Sequence, residues 1–193
     1  MKDNAGEEKI LTAAMNVISD KTISGTRMRL IAKEAGFAQS NINYYFKDKN
    51  EVLTKLSKHV SQYCFDFRDQ IRDGYDRDNL EDQIELFIQQ KLDFILDEKS
   101  YDFVEMDFWL QTRVNPEIKQ SVSEGYQYWR DEIDREIISR FGGSMSEREK
   151  KFLPYVIISL LQGATIQYHL EEFDVRAYFD YCKKIIKAAI KGL

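Results

Sequence analysis

The chain predicts an all-α fold, and three observations carry that prediction. Its 193 residues include only two prolines, Pro116 and Pro154, and nine glycines. Its abundance of Lys, Glu, Ile and Leu, with so few breakers, suits helix. No stretch sustains the period-2 alternation of a half-buried strand, whereas apolar residues recur at helical spacing throughout. Hydrophobic residues make up 43%, enough for a sizeable core in one large domain or two small ones.

The first helix is expected over about 7–20, with Ile10, Leu11, Ala14, Val17 and Ile18 on one buried stripe. The second begins at Thr26, whose hydroxyl is placed to cap it, and buries Ile31, Ala32 and Ala35 before Gly36 supplies a left-handed turn. The third covers about 39–46, with Ile42, Tyr45 and Phe46 inward. Asp48 and Glu51 have the form of a capping box with Asp in place of Ser or Thr. They open a long fourth helix whose stripe is Val52, Leu56, Val60, Tyr63 and Phe67. Charges dominate from Arg68 to Asp82, with Gly74 inside, which marks a junction. Further helices are expected over about 81–97, 101–114, 116–140, 147–172 and 175–191. Asn115-Pro116 is a helix start with Pro in the first turn, Gly142-Gly143 is a loop, and Ser146 with Glu149 is a second capping box.

The formal net charge is −5, which alone argues against nucleic acid. Its distribution reverses that. Residues 21–60 hold eight Lys/Arg and three acids, a local +5 that leaves −10 for the remainder. A phosphate backbone responds to charge within a Debye length of roughly 10 Å, not to the total. Cys64 and Cys182 lack CxxC spacing and suit buried or partly buried thiols in a reducing compartment. The opening MKDNAGEEKI has no signal-peptide core. The longest apolar run, Val156 to Leu161, is broken by Ser159 and too short for a bilayer. A soluble, cytoplasmic protein is expected.

Residues 26–53, TRMRLIAKEAGFAQSNINYYFKDKNEVL, carry the most specific signal. A helix-turn-helix needs a short linker with Gly because its second helix leaves at a steep angle, and Ala35-Gly36-Phe37 meets that need. The next helix presents Gln39, Ser40, Asn41, Asn43 and Tyr44 outward. Gln and Asn can pair with adenine N6 and N7 in two hydrogen bonds. Tyr44 and Tyr45 are placed for phosphate or sugar. Lys49, in the first turn of the following helix, is placed to hold a phosphate together with free N–H groups. Thr26, Arg27 and Arg29, at the start of the preceding helix, complete the expected DNA-binding set.

These residues resemble the N-terminal domain of the TetR family of bacterial transcriptional repressors. Thr26, Ile31-Ala32, Ala35-Gly36, Ser40, Ile42, Tyr45-Phe46, Lys49, Glu51 and Leu53 stand at that family's spacing without a gap, over about Ile10 to Leu56. Asn43 departs from the pattern, standing where the family often has an aromatic that touches phosphate, so a base and a phosphate are both open as its target. The resemblance implies a three-helix DNA-binding domain over 1–52 and a larger helical domain over 53–193. The latter is implied to bind a small ligand and to form a homodimer through the last two long helices.

The residues of the body support a dimer independently. Leu153, Val156, Leu160, Gly163 and Ala164 share a broad apolar side of the eighth helix, and Tyr178, Cys182 and Ile185 share one on the ninth. Two such stripes suit a four-helix interface between subunits; the alternative is burial of both within one subunit. Aromatics and acids interleave between Tyr101 and Trp129, and aromatic faces attract organic cations. Phe67, Phe87, Met106, Trp109, Tyr126 and Trp129 form the candidate pocket for an apolar or cationic molecule, against the plainer reading that the aromatics are core and the acids solvated. A pocket that releases DNA must favour one head spacing over another, with the helix from Val52 to about Arg72 as the lever.

An enzyme is not expected: His59 and His169 lie far apart, and no GxSxG, HExxH, GxGxxG or P-loop occurs. No cofactor or metal site is expected either. The expected partners are double-stranded DNA, a second copy of the chain and an unidentified small molecule, with no membrane. The rival reading within the same class is a helix-turn-helix factor that needs no small molecule.

Overall fold

The structure, a computed structural model, describes residues 4–192, and no strand occurs among them. The helices follow the apolar periodicity: α1 Asn4–Gly25, α2 Met28–Glu34, α3 Gln39–Tyr45, α4 Lys49–Ile71, α5 Leu80–Leu96, α6 Lys99–Gln111, α7 Pro116–Ile133, α8 Glu147–Leu170 and α9 Val175–Lys191. A 3₁₀ turn, Arg72–Gly74, follows α4. A π-helical turn, Asp134–Ile138, and a last α-helical turn, Ser139–Phe141, prolong α7. No helix among the described residues is long and apolar enough to cross a membrane.

Local chemistry explains most boundaries. Asn79 accepts from Glu81 N–H at 2.9 Å and opens α5. Asn115 accepts from the N–H groups of Glu117 and Ile118 at 3.0 and 3.1 Å and opens α7 at Pro116, the position where the missing proline donor costs nothing. Ser146 and Glu149 form the expected reciprocal capping box. At α4 the box is displaced by one residue. Glu51 N–H donates to Asp48 Oδ1 at 3.0 Å, but the Glu51 carboxylate accepts from Lys47 N–H at 2.7 Å.

Compactness groups the residues otherwise than a cut at 52. One unit takes the chain up to Cys64 together with Glu98–Gly125; the other takes Phe65–Asp97 and the chain from Tyr126 onward. In the first unit Ile10, Ile31, Ile42, Phe46, Val52 and Leu56 share one core with Val104 and Phe108 of α6 and Ile118 of α7. Each fully buried side chain of this size contributes about 1.5–3 kcal/mol, so α6 is a structural part of the head. Helices α4 and α7 cross closely on small residues: Ser57 Oγ donates to Ser121 Oγ at 2.8 Å, and a β-carbon on Gly125 would meet Ser61 Oγ at 2.8 Å.

The second unit is a bundle cored by Ile84, Phe87, Leu92 and Ile95 of α5, Ile133 of α7, Ile157 and Leu161 of α8, and Phe179 and Ile186 of α9, with Ile137 of the π turn. The charge-rich stretch expected as a junction hides an ionic core. Arg68 and Glu132 are each 1% exposed. Arg68 Nη1 donates to Gln90 Oε1 at 3.1 Å and Nη2 to Glu132 Oε2 at 3.4 Å. Arg72 Nη2 reaches the same Glu132 oxygen at 2.8 Å. The π turn carries buried Glu136 into the cluster, where Arg72 and Arg77 reach it at 3.4 and 3.2 Å. Opposite charges removed from water must be paired in this way to persist.

Candidate nucleic-acid interface

The helix-turn-helix is built by α2, a four-residue turn from Ala35 to Ala38, and α3. At the end of α2, Gly36 has φ +67, its N–H donates to Lys33 O at 3.1 Å, and Phe37 N–H donates to Ala32 O at 2.9 Å. This pair of bonds is the Schellman closure that a left-handed residue permits. The chain then turns into α3, whose Ile42 is buried and whose C-terminal neighbour Phe46 is buried with it. Those two apolar anchors leave the opposite side of α3 outward. Gln39, Ser40, Asn41, Asn43 and Tyr44 are all exposed, Tyr44 at 59%. Arg27 and Arg29 are exposed at the start of α2, with Lys33 and Lys47 also exposed nearby in the sequence. The helix thus offers two carboxamides on its first turn or just beyond, a third at Asn43, a hydroxyl and a phenol.

Three members of the expected DNA-binding set are placed differently. Thr26 is 1% exposed, and its hydroxyl donates to Thr22 O at 2.7 Å. It does not cap α2, whose N-cap residue is Arg27 without a side-chain bond. The chain kinks at Thr22, and Thr26 closes that kink. Lys49 is half-buried, and its ammonium donates inward to Ile23 O and to Thr26 O, the latter at 2.7 Å. Burial, and then the charge of Arg27, hold its pKa below the ordinary lysine value. Tyr45 is half-buried, with its ring parallel to Phe37 at 6.3 Å and edge-on to Tyr44 at 5.2 Å; it braces α3 against its surroundings.

The model of the tetR family of bacterial regulatory proteins matches residues 10–56, the stretch that holds this geometry. An uncharacterized HTH-type transcriptional regulator from the dhlA 5′ region of Xanthobacter autotrophicus is 34% identical over 64 residues, 33% of this chain and 32% of its own length. The aligned part therefore spans about a third of that relative. Two solved structures share the fold across nearly the whole chain. A transcriptional regulator from Saccharomonospora viridis, in complex with choline, has a TM-score of 0.79 at 18% identity, covering 98% of this chain and 97% of its own. FadR from Bacillus subtilis, in complex with stearoyl-CoA, has a TM-score of 0.75 at 17% identity, covering 96% and 98%. The match to the TetR family lies within the first third of the chain. At such low identity the two structures speak for the fold alone.

The rest of the chain places the other expected residues as follows. Met106 and Trp109 are half-buried in the first unit; Phe87 is buried, and Phe67, Tyr126 and Trp129 are half-buried, in the second. Within the second unit the rings of Tyr126 and Trp129 lie 6.0 Å apart, and Gln162 Nε2 donates to Tyr126 Oη at 2.9 Å. Phe67 meets Phe94 at 5.3 Å, and Phe87 lies under the Arg68 guanidinium at 5.0 Å. The acids among the central aromatics are not simply solvated: Asp102 is buried, and Asp107 accepts from Ile23 N–H at 2.7 Å.

The expected dimer residues divide into two groups. Leu153, Ala164 and Cys182 are buried inside the second unit's own core, because the wide stripe on each helix has one flank turned inward. Burial pushes the Cys182 thiol up, which keeps it protonated. Leu160 and Tyr178 are half-buried, with Tyr178 Oη donating to Leu160 O at 3.2 Å. Val156 and Ile185 are exposed, and Gly163 is half-buried. Sequence reasoning missed the residues that accompany them outward: Phe152, Tyr155, Ile166 and Leu170 on α8, and Tyr181 on α9. The helical spacing of the four on α8, three between Phe152 and Tyr155 and four between Ile166 and Leu170, was the available signal.

Proposed function

We propose that this chain is a DNA-binding transcriptional regulator that acts in the cytoplasm as a homodimer on a palindromic site. Residues 1–52 supply the reading head, and 53–193 supply effector binding and dimerisation. The observation that carries this reading is α3 itself, anchored by Ile42 while Gln39, Ser40, Asn41, Asn43 and Tyr44 face outward. Asparagine and glutamine read adenine through paired hydrogen bonds in the major groove, and the exposed Arg27 and Arg29 supply phosphate attraction that carries no sequence information. A two-fold dimer sets two such helices about 34 Å apart, one turn of duplex. The outward apolar faces of α8 and α9 support that dimer.

The regulator is a repressor released by a small molecule held by residues of the 53–193 stretch. Support comes from two regulators of the same fold that hold choline and stearoyl-CoA. A ligand lowers DNA affinity only by binding the DNA-incompetent arrangement more tightly, and α4, which contributes residues to both units, is the lever.

The deciding experiment selects duplexes from a random library and footprints the selected site. Replacing Asn41 and Asn43 together by alanine is expected to leave helicity unchanged and to cut selective affinity at least tenfold, about 1–3 kcal/mol for each paired base contact. Undiminished selectivity would refute the assignment. Titration of Trp fluorescence with choline and with a long-chain acyl-CoA tests the effector half separately.

A further inference from the structure

Ile23 is held by both of its backbone groups. Its N–H donates to Asp107 Oδ2 of α6 at 2.7 Å. Its carbonyl accepts from Lys49 Nζ of α4, which also donates to Thr26 O. The residue before it, Thr22, has φ 61 and ψ 165, a conformation that is essentially reserved for glycine. Thr26 Oγ1 closes on the Thr22 carbonyl at 2.7 Å. Four hydrogen bonds from side chains therefore converge on residues 22–26, the corner that decides where α2 begins. Strained backbone of this kind persists only where its surroundings over-determine it. Here the restraint comes from α4 and from α6, a helix 84 residues along the chain and outside the stretch that the family model matches.

Resting on the DNA-binding reading above, we propose that Lys49 and Asp107 are positioning residues for DNA recognition, fixing the α1–α2 corner through Ile23 so that α3 enters the groove at the correct angle, and that Lys49 makes no phosphate contact. The ammonium of Lys49 gives two of its three N–H donors to these carbonyls, so at most one is left to face a phosphate. Its half-burial makes a phosphate contact there less favourable than recruitment of the exposed Arg27, Arg29, Lys33 or Lys47. Asp107 completes the grip from the other side, and the packing of its neighbours Val104 and Phe108 in the same core fixes its own helix. Release of either partner lets the corner relax and carries α2 and α3 with it.

The test uses the full chain and a duplex that the wild-type chain has selected from a random library, with the dissociation constant measured across a salt series. Wild type is compared with Lys49→Met, Asp107→Ala and Asp107→Asn, and with Lys49→Met combined with Asp107→Ala. Each phosphate contact contributes about 0.9 to the slope of log affinity on log salt concentration. Lys49→Met and Asp107→Ala are each expected to weaken binding about tenfold or more, as loss of a paired base contact does, with the slope unchanged. The double variant is expected to be little worse than either single one, because both grip one residue. Asp107→Asn keeps an acceptor oxygen and is expected to bind like wild type. Hydrogen exchange at the Ile23 amide gives a readout without DNA: fast in Asp107→Ala, slow in wild type and Asp107→Asn. A slope reduced by about 0.9 per subunit in Lys49→Met, or wild-type affinity in Asp107→Ala, overturns the proposal while leaving DNA binding intact. Failure of the wild-type chain to select any duplex overturns the DNA-binding reading and this proposal with it.

Discussion

Tyr45 packs its ring directly onto the backbone of α1 at Gly6: a β-carbon there would lie 2.2 Å from Tyr45 Oη and 2.5 Å from Cζ. The contact brings the end of the recognition helix against the start of the chain's first helix. Gly6→Ala sets two effects against each other. Alanine is favoured over glycine within a helix by about 0.8–1.0 kcal/mol, whereas overpacking costs about 1–3 kcal/mol. The net loss of about 0–2 kcal/mol leaves a chain of ordinary stability folded. The ring of Tyr45 must still move aside, and α3 with it. The expected outcome is a folded protein with weaker selective DNA binding, measured by thermal melting and gel shift on the same preparation. Full affinity would mean that Tyr45 yields without moving the helix.

What was legible in the sequence was local. The Gly36 closure, the Pro116 start and the Ser146–Glu149 box depend on residues at most a few positions apart, and each formed as its spacing required. The outward face of α3 followed from Ile42 alone. The inward bonds of Thr26 and Lys49 were not legible, because they are set by a kink at Thr22 that no propensity announces. Asp107 is one of the acids interleaved with the central aromatics, and its partner, Ile23, is too far away in sequence for spacing to announce. On α8 and α9 the apolar stripes were found, but periodicity does not say which flank of a wide stripe meets its own core. Leu153 went inside and Phe152 stayed out.

Arg68 shows what an ion hidden in a charge-rich stretch does for stability. Its guanidinium lies over Phe87 at 5.0 Å and reaches Gln90 and Glu132. Arg68→Ala removes the charge, the hydrogen bonds and the stem together. Breaking one side of a buried pair costs about 3–5 kcal/mol, and that loss is expected in urea denaturation. Arg68→Met keeps the packing of the stem against the aromatics and is expected to cost clearly less. A value for Arg68→Ala within about 1 kcal/mol of wild type, as for a surface pair, would show that Arg72 and Arg135 suffice for Glu132.

Glu136 couples the same cluster to pH. Burial alone would raise its carboxyl pKa, but hydrogen bonds from Arg135 and Arg77 and the charges of Arg77 and Arg72 outweigh that and hold it below the ordinary glutamate value of 4.5. A depressed folded-state pKa means that the unfolded chain binds the proton first. Stability from Glu136 is therefore fully present above about pH 4.5 and is lost as pH falls through the lower folded value. Glu149, whose carboxylate accepts from the Ser146 hydroxyl and N–H, is shifted in the same direction. The urea midpoint is expected to fall on acidification below that pH, and Glu136→Gln is expected to flatten part of the fall. An identical pH profile in Glu136→Gln would exclude Glu136 as a source.

The outward side of α8 allows the proposed dimer to be tested separately from folding. Phe152, Tyr155, Val156, Ile166 and Leu170 lie along it, and Ile185 and Tyr181 are exposed on α9. Val156→Glu or Ile185→Glu is expected to yield folded monomers of unchanged helicity in sedimentation, with much weaker DNA binding, since single heads lack the gain of linked sites. Leu153→Ala acts from the other flank and is expected to cost about 2–5 kcal/mol of stability without changing the oligomeric state. Gly163 gives the sharpest discrimination. A β-carbon there meets nothing within 4 Å in the single chain, so Gly163→Ala is harmless to a monomer and even favours the helix by about 0.8–1.0 kcal/mol. If the helix of a second copy packs closely at that point, the same substitution forces it away, and dissociation rises although stability does not fall. A Gly163→Ala protein that stays dimeric with wild-type affinity would place the subunit contact elsewhere.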